Sequence, residues 1–432
     1  MTIQAAQTQP AQAAVQSSER VPTKVVAATV AGNTLEFYDF VTYAFFAVFI
    51  GRTFFPATDP FTSLLLSVAV FGVGFVTRPL GGILIGAYAD RAGRKPAMLL
   101  TIVLITIGTL GLALTPSYQS IGVAAPIIVV ICRLIQGLAL GGEVGPATAF
   151  LIEIAPQDKR GFYASWQVAS QGIAAMVAGA IGMGLAAVLA PADLASWGWR
   201  IPFALALLLI PIGIYLRRDM PETLHASHDA PAAKGELWRH RKIIFIALLL
   251  VMGGTVSNYV AQYMTTYAIA TLKFPPSIAL AATVVGGATI FVFSLVGGWL
   301  TDRFGRRPLL LWPRVAIVLA TYPMFLLLNS SPTPTTLFLV SGFLAGMSAL
   351  GAAAMFATIP ELLPRQIRAT GLSIAYAFGV SIFGGTTQLI VTYLIGTTGN
   401  PTSPAWYVVA TSLISILAVL ALPESKDRKL DS

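Results

Sequence analysis

The sequence predicts an all-α membrane protein of twelve transmembrane helices, arranged as two pseudo-symmetric six-helix halves. Three observations predict it. Apolar runs of about 20 residues, the length that crosses a bilayer core, recur throughout the chain. Hydrophobic residues make up 56% of the 432 and charged ones only 10%, too little charge for a soluble protein of this size. A charged loop occurs twice, about half a chain apart, each time between two apolar runs.

The first half, 24–216, is read as spans over 24–51, 62–88, 97–115, 124–151, 162–188 and 199–216. The second half, 242–421, is read as spans over 242–270, 277–300, 308–329, 335–360, 367–395 and 404–421. Residues 1–23 are polar and rich in Gln and Ala, without an apolar signal core, and read as a disordered cytoplasmic tail rather than a cleaved peptide. Residues 217–241 read as a polar cytoplasmic linker, and 422–432 as a second cytoplasmic tail. Most of the 27 Lys and Arg residues fall in the terminal segments, the linker and alternate loops, which places both termini in the cytoplasm. The net charge of +9 is therefore a topology signal, and no nucleic-acid partner is expected. His225, His228 and His240 all lie in the linker, so no histidine sits within a span to relay protons or hold a metal. Cys132, the only cysteine, cannot form an intrachain disulfide. Gly pairs such as Gly72-x-Gly74 and Gly384-Gly385 read as helix packing, and Pro313 and Pro323 as kinks.

The repeated loop is Gly86-Ala-Tyr-Ala-Asp90-Arg91-Ala-Gly93-Arg94-Lys95 and Gly298-Trp-Leu-Thr-Asp302-Arg303-Phe-Gly305-Arg306-Arg307. Glu153-x-x-Pro156-x-x-x-Arg160 likewise returns as Glu361-x-x-Pro364-x-x-x-Arg368, and Pro221-Glu222 as Pro423-Glu424. Such a loop aspartate near a helix end suits a gate, paired with arginines across the cytoplasmic seam and parting when it opens. The gate set is Asp90, Arg94, Glu143, Glu153, Arg160, Asp302, Arg306, Glu361 and Arg368.

Charge inside a bilayer is costly and marks function. At about 1.5 Å per residue, Asp39 lies roughly 22 Å in, Arg78 roughly 18 Å and Arg133 roughly 14 Å, all near the bilayer middle. Glu36 shares a helix face with Asp39 three residues on. Arg314 is shallower, so the chemistry is read as loaded on the first half. Two close carboxylates push one proton affinity up and an arginine pulls it down, so Asp39, with Glu36 beside it and Arg133 as alternating partner, reads as a proton switch. A static ion pair between spans one and four is the plainer alternative. Arg78 has five donors and suits a carboxylate substrate, or else Glu36. Asn33, Gln167, Ser170, Gln171, Tyr259, Gln262, Tyr263, Tyr376 and Gln388 are the polar groups that complete a substrate pocket with Arg78 and Arg133; each alone would serve equally as interhelical glue.

These features resemble the major facilitator superfamily, in the loop signature and in the duplication. Gly32-Asn33-x-x-Glu36-x-x-Asp39-Phe40, Arg78-Pro79-x-Gly81, Arg133-Leu-Ile-Gln136-Gly137, Gly161-Phe-Tyr163-x-Ser165-x-Gln167 and Trp197-Gly-Trp199-Arg200-Ile-Pro202-Phe203 resemble its metabolite:proton symporter branch. Within that branch, Ser165-Trp166-Gln167-x-x-Ser170-Gln171, Ile382-Phe383-Gly384-Gly385 and Ser403-Pro404-x-Trp406 are most similar to citrate and tricarballylate carriers. The resemblance implies import of a small di- or tricarboxylate with protons through alternating access, in the bacterial inner membrane, by a lipid-embedded monomer that needs no cofactor or metal beyond the proton gradient. In related sugar porters a first-helix aspartate and a fourth-helix arginine form the proton switch, and Asp39 and Arg133 stand in those places. An uncoupled facilitator or exchanger, or a symporter of 2-oxoglutarate or shikimate, is the alternative. An enzyme is not expected, and no Gly-x-x-x-x-Gly-Lys-Ser/Thr stretch is present for an ATP-driven pump.

Overall fold

The computed structural model describes residues 23–92, 94–141, 151–152, 155–207, 211 and 234–426, and no strand occurs among them. In the first half the longer helices are α1 (Thr23–Phe45), α2 (Ala47–Phe54), α3 (Pro60–Val76), α4 (Arg78–Ala92), α5 (Arg94–Leu114), α6 (Ala124–Leu140) and α7 (Arg160–Val188). In the second half they are α8 (Arg241–Ala270), α9 (Pro276–Phe304), α10 (Arg306–Ser330), α11 (Pro334–Leu362), α12 (Arg365–Gly379), α13 (Gly385–Thr398) and α14 (Ser403–Leu420). A short helix, Lys234–Arg239, precedes α8. Among the described residues eight helices are long and apolar enough to cross a membrane, or nine if the bent pair at the start is one span, with two shorter apolar helices besides.

Local chemistry explains most boundaries. Asp59 caps α3 by accepting from Thr62 N at 2.9 Å, with Pro60 at the first helical position. Thr333 and Thr336 form a reciprocal capping box ahead of α11. The turn at Thr77 divides α3 from α4 just before Pro79, as a proline without an N–H requires. Three departures from plain spans stand out. The first span bends by 65° between α1 and α2. Thr42 Oγ bonds back to Tyr38 O at 2.6 Å, a habit that bends helices, and Ser67 Oγ donates to Ala47 O just past the bend. The eleventh span passes through a π turn at Val380–Gly384, flanked by Gly379 and Gly385. The linker's last residues are already helical.

Among the described residues the halves meet chiefly along two helix pairs. α7 runs antiparallel to α9, with Gly161 against Gly298, Gly172 against Gly287 and Gly179 against Thr283. A Cβ on Gly172 would stand 2.6 Å from Phe291 N and 2.7 Å from Gly287 O, so backbone touches backbone there. α3 meets the eleventh span where Gly72 faces Gly385 and where Phe61 covers Gly396. We call the end holding Gly161 and Gly298 the charged end.

At the charged end the segment after α14 folds back over the second copy of the repeated loop. Gly305 takes a φ of +100°, which favours glycine, and Arg306 starts α10. Glu424 caps that helix, accepting from Arg306 N at 2.8 Å and Arg307 N at 2.9 Å. Arg306, 2% exposed, grips Glu361 with two bonds of 2.8 and 3.1 Å, and Ser425 Oγ donates to the same carboxylate. Burial pushes the Glu424 carboxyl up, but the backbone N–H groups of Arg306, Arg307, Lys426 and Ser425 together outweigh it and hold the group below its ordinary range. The stabilisation is therefore complete above the unfolded value of about 4.3 and fades as pH falls through the lower folded value. Hydrogen exchange at Arg306 and Arg307 is expected to accelerate on acidification of wild type, relative to the intrinsic rate. In Glu424→Gln it is expected to be fast at neutral pH with little pH response; protection equal to wild type would show that the cap does no such holding.

Candidate functional site

Among the described residues of the first half, four acidic or basic side chains are buried: Glu36, Asp39, Arg78 and Arg133. α1 carries Asn33, Glu36, Asp39, Phe40 and Tyr43 at helical spacings of three and four. α6 presents Arg133 and, one turn on, Gln136. Arg78 opens α4 at the break from α3.

Asp39 and Arg133, 4% and 1% exposed, are brought together through a third residue. Gln136 Nε2 donates to Asp39 Oδ2 at 2.7 Å and to Thr109 Oγ1 at 3.2 Å, while its Oε1 accepts from Arg133 Nη1 at 2.8 Å. The amide is a neutral spacer that satisfies each charge with one charge-assisted bond, worth about 1.5–3 kcal/mol. Asp39 Oδ1 and Arg133 Nε are buried without a hydrogen-bond partner among the described residues. The carboxylate thus keeps one oxygen open to a proton.

Both guanidiniums rest on aromatic faces. Arg133 lies 4.4 Å from the Tyr43 centroid and 5.5 Å from those of Phe40 and Phe71. Arg78 lies 4.0 Å from Phe75 and 4.5 Å from Phe40. Such contacts are worth about 0.5–2 kcal/mol each and hold a cation where water does not reach. Tyr259 of the second half meets the same rings edge-on, 5.5 Å from Phe75 and 6.3 Å from Phe40. A Cβ on Gly74 would stand 3.2 Å from Arg133 O and 3.5 Å from its Nη2, so that glycine makes room for the arginine.

The remaining expected pocket residues divide. Asn33, Gln167 and Ser170 bond one another: Gln167 Nε2 donates to Asn33 Oδ1 at 3.0 Å, and Asn33 Nδ2 donates to Gln167 O and to Ser170 Oγ. They clasp α1 to α7. Gln171 is half-buried on α7. Tyr263 accepts from Thr392 Oγ1 at 2.9 Å, and Tyr376 packs on Phe356 with centroids 5.6 Å apart. Gln262 opens on a cleft between the halves, lined also by Phe45, Ala175, Thr265, Thr283 and Ala345. Gln388 is fully buried with neither end of its amide bonded among the described residues.

At the charged end the expected crossing of the seam by an arginine does not occur at Asp302. Its Oδ1 and Oδ2 accept at 2.8 Å from Gly161 N and Phe162 N, the first N–H groups of α7 in the opposite half. A carboxylate there satisfies orphan donors and the helix dipole at once. Arg306 stands 3.5 Å from Asp302 but belongs to the same half, as does its partner Glu361. Arg160 is the first residue of α7. Glu143 and Glu153 lie outside the described residues, as do the side chains of Asp90, Arg94 and Arg368. Asp302→Asn is expected to weaken the seam by about 0.5–2 kcal/mol, the worth of such a cap. A cysteine placed at Ser165, which is buried against Gly298, would then be alkylated about 2- to 30-fold faster. An unchanged rate would show that the cap does not hold the seam.

Sequence reasoning passed over Gln136, Thr109 and the aromatic faces. The spacing of Gln136 three residues from Arg133 is the signal that points to it. It set Arg314 aside as shallower in its span; in the structure Arg314 is 5% exposed and its guanidinium bonds within the second half.

Comparison with known proteins gives a consistent set. The family described as Major Facilitator Superfamily matches residues 31–330 and 274–432. The chain is 38% identical over 397 residues to the citrate-proton symporter of Salmonella typhi, covering 90% of this chain and 92% of that protein. It is 36% identical to the citrate-proton symporter of Klebsiella pneumoniae, over 90% and 89% of the two. It is 33% identical to the alpha-ketoglutarate permease of Escherichia coli strain K12, over 90% and 91%. In fold it is similar to the inward-open xylose transporter of E. coli, with a TM-score of 0.74 at 18% identity over 94% and 98% of the two chains.

Proposed function

The chain belongs to the major facilitator superfamily, and from that premise we propose that it imports a small di- or tricarboxylate, citrate or tricarballylate foremost, together with protons by alternating access. The observation that carries this reading is the Asp39–Gln136–Arg133 relay beside Arg78. With all four groups ionised, Glu36, Asp39, Arg78 and Arg133 balance. A proton on the open oxygen of Asp39 leaves one net positive charge among them, which a substrate carboxylate neutralises at Arg78. Proton first and anion second is thus the favoured order, and each further substrate carboxylate needs a further proton or cation to keep the loaded state near neutral in a medium that penalises charge. Lowered attraction from a protonated Asp39 also frees Gln136 and Arg133 to move, which links loading to the change of access.

The gradient supplies the drive without a cofactor. An inside-negative potential of 100 mV opposes each anionic charge by about 2.3 kcal/mol, so a trianion enters only with several protons. The charged end, with Asp302, Arg306 and the two termini, faces the cytoplasm of a bacterial inner membrane in this reading, as the distribution of Lys and Arg supports. The named relatives support a carboxylate substrate, and the permease for alpha-ketoglutarate keeps 2-oxoglutarate beside citrate as a candidate.

The test is uptake by proteoliposomes of labelled citrate, tricarballylate, 2-oxoglutarate and shikimate, each with and without an imposed inward proton gradient. Accumulation of one carboxylate that requires the gradient is the expected result. Equal uptake with and without the gradient would replace symport by facilitated diffusion or exchange, and uptake of none would remove the carboxylate reading.

A further inference from the structure

We infer that Arg314 is the second half's anchor for a substrate carboxylate, so that a di- or tricarboxylate bridges cations of both halves when they close around it. This rests on the carboxylate-transport reading above and adds a residue that neither the sequence motifs nor the relay supplies.

Arg314 lies on α10 beside Pro313, buried to 5% exposure. Its Nη1 donates to Gly253 O at 2.9 Å and to Ser257 Oγ at 3.0 Å, both on α8 and both neutral. Among the described residues no carboxylate pairs with it, in contrast to Arg306 one helix end away, which holds Glu361. A buried guanidinium with only neutral acceptors is destabilising to the fold, and such a cost persists where a charge is needed. Nη1 carries both bonds, which leaves the Nη2 and Nε donors for a planar bidentate acceptor.

The placement favours a ligand that arrives from the cleft between the halves. Nη2 lies 3.1 Å from the point a Cβ on Gly254 would occupy, and Met355 Sδ lies 3.8 Å from the same point. Gly254, Asn258, Ala261, Gln262 and Thr265 recur at intervals of three and four and share one face of α8. Ala261, Gln262 and Thr265 line the cleft. Arg314 therefore reaches the inner continuation of the cleft-facing stripe, at the one position of that stripe without a side chain to cover it. Arg78 and Arg133 offer the first half's cations, so a molecule with two or more carboxylates can engage both walls, and a monocarboxylate engages one.

The experiment uses the purified full chain and measures binding of citrate, tricarballylate and 2-oxoglutarate, together with the melting temperature. Arg314→Met is expected to raise the melting temperature, because a lone buried charge is removed, and to weaken binding of the best polycarboxylate at least tenfold. Arg314→Lys is expected to recover part of the affinity. Gly254→Ala, which keeps every charge but sets a methyl against Nη2, is expected to weaken binding as well. Arg314→Met binding within twofold of wild type would overturn the inference and leave the transport reading intact. If Arg314→Met does not fold, unchanged affinity in Gly254→Ala overturns it. Wild type that binds none of these acids would sink the transport reading and this inference with it.

Discussion

Asp39→Asn protein is expected to bind its carboxylate substrate and exchange it across the membrane, yet to lose the power to concentrate it. The substitution keeps the shape of the side chain and an oxygen that can accept from Gln136 Nε2, the bond made at 2.7 Å in the native protein. What it removes is the only site in the relay where a proton can come and go, since Gln136 is neutral and Arg133 stays charged. With four charges reduced to Glu36, Arg78 and Arg133, the site is permanently in the net-positive state that favours the anion. A gradient of 100 mV drives accumulation of about 50-fold per coupled proton, and the mutant ratio is expected to fall to unity while counterflow of labelled substrate persists. Uptake in proteoliposomes at fixed internal and external pH makes the measurement. Full gradient-driven accumulation by Asp39→Asn would eliminate this carboxyl as the coupling group.

Arg78→Gln is the second large effect, and it strikes affinity rather than coupling. The native guanidinium is 8% exposed and seated on Phe40 and Phe75, with Tyr259 of the other half against the same rings. Truncating one member of a buried, hydrogen-bonded charge pair costs about 2–5 kcal/mol, so the dissociation constant of a carboxylate held by Arg78 should rise by roughly 30- to 4,000-fold. Arg78→Lys retains the charge but not the fork, and should fall between wild type and Arg78→Gln. Folding is expected to survive, because the stacking of the guanidinium on each ring is worth only about 0.5–2 kcal/mol. Calorimetric titration reads the affinity, and the melting temperature without ligand reads the fold. An Arg78→Gln protein with native affinity would reduce Arg78 to a structural cation.

Much of the fold is legible in the sequence because two signals are long. Apolar runs set the spans, and the loop ending in Gly305-Arg306-Arg307 betrays the duplication. The bend at Phe46 is not legible, since no proline or glycine marks it and Thr42 bonding back to Tyr38 O acts together with Ser67 reaching Ala47 across helices. The site is legible in its charges, as a buried ion is costly wherever it stands. Gln136 escapes because an amide in an apolar run carries no such warning, although it joins Asp39 to Arg133. Arg314 is passed over for a different reason: counting residues from a helix end gives the depth of its backbone and says nothing of the direction its side chain takes. Asp302 and Arg306 sit where the motif puts them, but one turns to backbone N–H groups across the seam and the other to Glu361 at home. Choice of partner depends on helix ends that only folding brings together.

The backbone-to-backbone seam between α7 and α9 has a mechanical consequence. Gly172 and Gly287 bring the two backbones into contact with Ile290 and Met176 alongside, and Gly161 and Gly298 repeat the arrangement nearer the end, beside Ser165. Glycines at the points of closest approach let the seam behave as a bearing, on which one half can roll against the other. The resistance that does exist is then concentrated at the rim, in clasps such as Asp302, so the tempo of the cycle is open to adjustment there without reshaping the axle.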